Sequence, residues 1–169
     1  MSNELDSALA RARELYQSGV YQDAVFTELG RSSHPAAMPL FREMLSDSHA
    51  QARYTGLRSL SKTKYLSSSP ELIQKIRDVL LGDSDASIRT QAAIVLGGHS
   101  KWPEPALERA VDRDTDTHTR QEALLSVLEL MVSFDFADQH RGDITSGTLE
   151  TSMATAHKLV AEHKQKSQK

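Results

Sequence analysis

An acidic and a basic residue recur at one fixed interval along this chain. Three times an Asp is followed six residues later by an Arg: Asp47 and Arg53, Asp83 and Arg89, and Asp114 and Arg120. The three Arg residues stand 36 and then 31 positions apart. Because periods in this range are typical of stacked helical repeats, the recurrence constrains the fold more than any other feature of the sequence.

Small or apolar residues follow each Arg at offsets of three, four and seven. After Arg89 these are Ala92, Ala93 and Leu96. Side chains at such offsets share one face of an α-helix. Each Arg is therefore predicted to begin a helix, here called helix B, whose small residues let another helix approach closely.

A second apolar stripe precedes each Asp, and it is itself preceded by proline. In the best-preserved case Pro70 leads into Ile76 and Leu80. Proline fits the first turn of a helix, where its missing N–H would be unpaired in any case, and Ser69 is predicted to be the N-cap. Each unit is thus expected to contain a helix A, a turn with the Asp, and then helix B.

Helix pairs with an Asp in the turn and an Arg at the start of helix B resemble HEAT repeats, over roughly residues 20–131. The resemblance implies a hydrogen-bonded ladder in which the Asp and Arg of neighbouring repeats meet. The residues that match are Asp47, Asp83, Asp114, Arg53, Arg89 and Arg120. The first unit departs from the pattern because Gln22 holds the Arg position, so the ladder is expected to stop there. On physical grounds, an Asp before a helix can accept from the first-turn N–H groups, and an Arg can donate as a fork.

The predicted fold class is all-α, a right-handed α-solenoid of about four HEAT-like helix pairs. The array covers residues 1–133, with units at about 3–30, 35–63, 70–98 and 103–133. Residues 134–146, punctuated by Asp and Gly, are predicted to form a loop. An amphipathic capping helix is expected at 147–165, followed by a frayed tail at 166–169.

Composition excludes several classes of function. The chain has no Cys, which removes disulfides and thiol chemistry, and its net charge of −3 argues against general affinity for nucleic acid. No stretch of about 18 apolar residues is present, and the first residues lack a secretory pattern, so no membrane association and a cytoplasmic location are expected.

Between Glu104 and Asp143 there are ten acids and four bases. This imbalance indicates a solvated face or, alternatively, a docking surface for a basic partner.

No catalytic or metal motif emerges from the sequence. Among the seven His, no pair has the spacing of a zinc site, and His34 and His99 fall in equivalent positions that predict exposed imidazoles. The segments "DSD" at 83–85 and "DTD" at 114–116 lack the Gly and Glu of a calcium loop and are interpreted as helix-capping acids. The chain is therefore expected to use no cofactor and no metal, and not to be an enzyme.

Stacked helix pairs present a concave face lined by their B helices, and such faces bind proteins. The positions one, two and five residues after each Arg are expected to point away from the core. The candidate binding residues are Tyr54, Arg58, Gln91, Glu122 and, in a loop, Trp102. For Trp102 the alternative is packing beneath the next repeat.

The predicted function is a non-catalytic protein-binding module, such as a scaffold, an adaptor or an inhibitory, immunity-type protein. It is expected to act as a monomer or weak dimer. The alternative is a HEAT-like enzyme or accessory lyase that acts on a small molecule or a protein-bound cofactor.

Overall fold

The structure consists of α-helices joined by short connections. The computed structural model describes residues 2–101 and 104–166, with side chains from 4 to 162 within those ranges. No strand occurs in this part of the chain, as the sequence predicts. Two 3₁₀ turns, Pro35–Ala37 and Leu66–Ser68, accompany the α-helices. These are α1 (Ser2–Gln17), α2 (Asp23–Ser32), α3 (Met38–Met44), α4 (Ala50–Leu60), α5 (Pro70–Gly82), α6 (Ala86–His99), α7 (Pro105–Arg113), α8 (Thr117–Met131), α9 (Phe134–Gln139), α10 (Arg141–Thr145) and α11 (Leu149–Lys166).

The first eight helices pack in consecutive pairs. In each pair the second helix contacts the first, and α2, α4, α6 and α8 also contact one another in sequence. We call these four helices the B layer. The core lies between this layer and α1, α3, α5 and α7, and the apolar stripe of α6 faces it, because Ala92, Ala93 and Leu96 are fully buried.

Two glycines allow neighbouring B-layer helices to approach closely. A Cβ added at Gly30 of α2 would lie 2.2 Å from the carbonyl oxygen of Ser59 in α4, which no side chain can do. A Cβ added at Gly97 of α6 would lie 2.7 Å from the Ser126 side chain of α8. The absence of a side chain at these positions therefore sets the spacing within the layer.

Buried arginine–aspartate bonds link consecutive repeats. The Nε and Nη2 of Arg53 donate to Asp83 at 2.6 and 2.9 Å, and Arg89 donates to Asp114 in the same way at 2.8 Å for each bond. The four side chains are only 5–13% exposed. The remaining guanidinium nitrogen of Arg53 donates to the carbonyl of Asp47 in its own repeat at 2.9 Å. Each of these arginines thus ties its own turn to the turn of the next repeat.

At its two ends the ladder changes partners. Tyr16 of α1 donates to Asp47 at 2.7 Å, in the place where an arginine of the first repeat would be expected. Burial and the nearby Asp47 raise the pKa of Tyr16, so its hydroxyl stays a donor. At the other end Arg120 donates to the carbonyls of Val111 and Asp112, at 2.6 and 3.1 Å.

The two aspartates of the "DSD" segment have different roles, although the sequence predicts that both cap a helix. Asp83 accepts the Arg53 fork and the N–H of Asp85, whereas Asp85 is the N-cap of α6 and accepts from the N–H of Ser87 at 2.9 Å. The ladder residue is therefore not the residue that caps the helix. Ser69 occupies the N-cap position of α5, as the sequence predicts, but its side chain makes no capping bond.

The predicted loop at 134–146 is instead mostly helical. It forms α9 and α10, and Ser133 caps α9 by accepting from the N–H of Phe136 at 3.1 Å. Ala137 and Ile144 are buried. Asp and Gly disfavour helix in isolation, but packing against α8 supplies the stability that propensity does not.

Helix α11 packs on α8 and α10. The amide of Gln121 on α8 donates to the carbonyl of Gly147 at 2.9 Å and to the hydroxyl of Ser152 at 3.1 Å. Helices α9, α10 and α11 therefore all pack against α8, the last helix of the B layer.

Replacing Arg89 with alanine is expected to destabilise the fold strongly. Burial alone favours the neutral form of Asp114, and the bonds from Arg89 and the Asp116 N–H outweigh it to hold the pKa of Asp114 below its usual range. Without Arg89 the buried carboxylate loses its counter-ion, at a cost of about 3 kcal/mol, or a fall in Tm of roughly 6–12 °C.

The matched control is Arg42→Ala, which breaks an ion pair with Glu71 whose side chains are 52% and 71% exposed. That variant should lose less than about 1 kcal/mol. Equal melting temperatures for the two variants would contradict the ladder's role.

Adding one methyl group at Gly30 should also destabilise the protein. The new Cβ would meet backbone, which cannot move aside, so Gly30→Ala should cost about 1–3 kcal/mol in urea-induced unfolding. Gly98→Ala is the control, because a Cβ there meets nothing within 4 Å. It should leave stability unchanged or increase it by up to about 1 kcal/mol. A destabilised Gly98→Ala variant, or a neutral Gly30→Ala variant, would refute the proposed spacing constraint.

Candidate functional site

A groove of about 400 Å³ lies across three repeats. Its floor comes from α4, α6 and α8, and its end wall comes from α9 and α10. Because the B-layer helices pack side by side, residues from separate repeats meet in this one concavity. We call it the B-layer groove.

Four of the five candidate binding residues line this groove. They are Tyr54, Arg58, Gln91 and Glu122. The fifth, Trp102, lies outside the residues that the structure describes. The offsets of one, two and five residues after each Arg also place Ile94 and Leu125 in the lining.

Tyr54, Gln91 and Arg58 are all available for contact with a partner, but only Arg58 already has a partner within the described part of the protein. Tyr54 and Gln91 are partly buried and have no hydrogen-bond partner among the described residues. Arg58 forms an ion pair with Asp23 of α2 at 3.2 Å, with both side chains 43% exposed. Such an exposed pair is weak and can exchange partners at small cost.

Glu122 does not face solvent as expected. Its side chain is only 7% exposed, and Arg141 of α10 donates to both of its oxygens, at 2.6 and 2.8 Å. The expectation treated residues 134–146 as a loop and so did not include a helix above α8. Glu122 holds the end wall of the groove in place rather than offering a free charge.

Glu129 is a groove residue that sequence reasoning missed. It lies two turns after Glu122 on α8, so the seven-residue helical offset could have identified it. Burial raises the pKa of the Glu129 carboxyl above its usual range, and the charge of Arg141 only partly opposes this. No described residue forms a hydrogen bond or ion pair with this carboxylate.

Apolar side chains lie beside these polar groups. Ile94 is 39% exposed and Phe134, at the start of α9, is 60% exposed. Leu125 and Ala137 complete the apolar part of the lining. No periodic signal marks Phe134, because α9 stands outside the repeat pattern.

The histidines do not gather into a metal site in the described part of the chain. There, no three His, Cys, Asp or Glu side chains come together with suitable geometry. His99 lines the groove, and its Nε2 donates to the carbonyl of Ser61 at 3.2 Å, which fixes the proton on that nitrogen because a carbonyl only accepts. His34 instead caps a 3₁₀ turn by accepting from the N–H of Ala36.

Within the described residues, no helix combines the length and the apolar character needed to span a membrane. No curated protein and no solved structure matches the chain. A family model described as HEAT repeats matches residues 9–97, which is 89 of the 169 residues. Together with the helix pairs and their inter-repeat bonds, this match shows that the chain belongs to the HEAT repeat family.

Proposed function

We propose that this chain is a non-catalytic protein-binding module that holds its partner in the B-layer groove. In this proposal the protein is a short right-handed solenoid of about four helix pairs, closed at its C-terminal end by α11. Repeats of this family commonly mediate protein interactions, which supports the general class. The groove supplies the specific location.

The observation that carries the proposal is the mixed character of the groove. Exposed apolar side chains, Ile94 and Phe134, lie in the same concavity as three polar side chains that form no hydrogen bond with any described residue: Tyr54, Gln91 and Glu129. Protein interfaces combine apolar and aromatic anchors with polar groups that are free to hydrogen-bond to the partner. A groove that served only to pack the fold would instead have its polar groups paired.

The acidic C-terminal half contributes less to docking than its composition indicates. Glu104 is fully buried and bonded to Arg77 at 2.8 and 2.9 Å, while Asp114 and Glu122 are buried and paired with Arg89 and Arg141. Glu104 and Asp114 link successive repeats, and Glu122 holds α10 in place. The groove rather than overall charge is therefore the surface that we assign to the partner.

Placing a charge in the groove should abolish partner binding. Ile94→Glu puts a carboxylate on the exposed apolar part of the groove without touching the core. Leu81→Glu is the matched control, because Leu81 is 42% exposed on α5, outside the groove. Each tagged protein is used to capture proteins from lysate of the source cells, and retained proteins are quantified by mass spectrometry.

We expect one protein, or a small set, to be retained by the wild type and by Leu81→Glu at similar levels and to fall at least tenfold with Ile94→Glu. Circular dichroism melting of the three proteins establishes that both variants remain folded. Equal retention by Ile94→Glu, or no retained protein with any form, would contradict the assignment.

A further inference from the structure

One carboxylate in the B-layer groove, that of Glu129, forms no hydrogen bond or ion pair within the part of the chain that the structure describes. Its position indicates the chemistry of what binds there. We propose that the groove receives a lysine or arginine side chain of the partner protein, and that the Glu129 carboxylate is its counter-ion. This inference rests on the proposed function and adds the chemical identity of the bound residue.

The uncompensated state of Glu129 is the first support. A carboxylate that is partly withdrawn from water and unbonded is unfavourable for the folded protein. Burial raises the pKa of the Glu129 carboxyl above its usual range for this reason. Such a group in a concave site is a candidate for function, because a bound cation would remove the penalty.

The basic groups around Glu129 do not neutralise it. From α10, Arg141 is bonded to Glu122 and pairs with Asp138 of α9 at 4.0 Å, and its charge lowers the pKa of Glu129 by less than burial raises it. From α4, Arg58 pairs with Asp23, and the exposed Lys62 forms no ion pair with Glu129. From α6, His99 donates to a backbone carbonyl.

The shape of the groove favours a side chain presented by a protein over a free amine. The concavity of about 400 Å³ can hold one long basic side chain. Beside the carboxylate, Phe134 and Ile94 expose apolar surface that a free cation would leave uncovered. The methylene stem of a lysine or arginine, and the residues on either side of it, would cover that surface.

The test begins with selection of peptides from a displayed random library on the full chain. Peptides that bind the wild type and fail to bind Ile94→Glu are groove ligands. We expect these to share a Lys or Arg at one position. Their dissociation constants are then measured for wild type, for Glu129→Gln, which keeps the shape and removes the charge, and for Glu108→Gln, an exposed acid on α7 outside the groove.

Glu129→Gln should raise the dissociation constant of a selected peptide by about 10- to 100-fold, as expected when a charge-assisted hydrogen bond is lost. Glu108→Gln should stay within about twofold of the wild type. Replacing the shared Lys or Arg of the peptide with Met should reduce its affinity for the wild type by a similar factor. The same replacement should reduce its affinity for Glu129→Gln only slightly.

The pH dependence provides a second readout. Because the pKa of Glu129 is raised, its carboxylate takes up a proton at a higher pH than an ordinary Glu does. Affinity should therefore fall as the pH is lowered through that range, and the fall should be absent from Glu129→Gln. In the free protein at pH 7, Glu129→Gln should melt no lower than the wild type, since it removes an unfavourable charge.

The outcomes separate this inference from the proposed function. Groove peptides without a shared basic residue, or with unchanged affinity for Glu129→Gln, would overturn the inference and leave a protein-binding groove in place. A free lysine derivative, N-acetyl-lysine methylamide, that competes as strongly as the peptides would overturn the assignment to a protein side chain. Failure to select any groove peptide would overturn both.

Discussion

The buried bond between an arginine of one repeat and an aspartate of the next is the interaction on which the rest of the fold depends. Arg53 and Arg89 each reach a turn of the following repeat with two bonds and their own turn with a third. Because these side chains are almost fully withdrawn from water, the bonds hold the helix starts of successive repeats in one relative position. Tyr16 extends the same connection to α1, and the glycines within the B layer then set how closely its helices approach.

Local and periodic features were accessible from the sequence. The resemblance to HEAT repeats, carried by the recurring Asp and Arg, implied which side chains connect the repeats. Offsets of three, four and seven predicted the buried stripe that contains Ala92, Ala93 and Leu96. The same reasoning identified Tyr54 and Gln91, which lie in the groove. It was wrong for Thr55, Thr90 and Gln121, which hold the same offsets and are buried.

The features that could not be predicted from the sequence depend on contacts made by residues outside the repeat pattern. Arg141 reaches Glu122 from a segment whose composition predicts a loop, and α9 and α10 are short helices stabilised by packing against α8. Tyr16 takes an arginine's place through a contact between residues 31 positions apart, for which no repeat position exists. Glu129 was accessible in principle, but its unpaired state depends on where Arg141 is engaged, and that is a property of the folded protein. This division between paired and unpaired carboxylates also separates stability from the proposed function. Asp83, Asp114 and Glu104 link successive repeats, Glu122 holds α10 in place, and Glu129 is left for a partner.

The most direct test of this account is a double-mutant cycle on Arg53 and Asp83, read by urea denaturation. Arg53→Ala, Asp83→Ala and the double variant are compared with the wild type, and the same cycle on the exposed pair of Arg42 and Glu71 serves as the reference. We expect a coupling energy of at least about 1.5 kcal/mol for the buried pair and less than about 0.5 kcal/mol for the exposed one. Additive effects of Arg53→Ala and Asp83→Ala would contradict the claim that inter-repeat arginine–aspartate bonds hold the B layer and its groove in place.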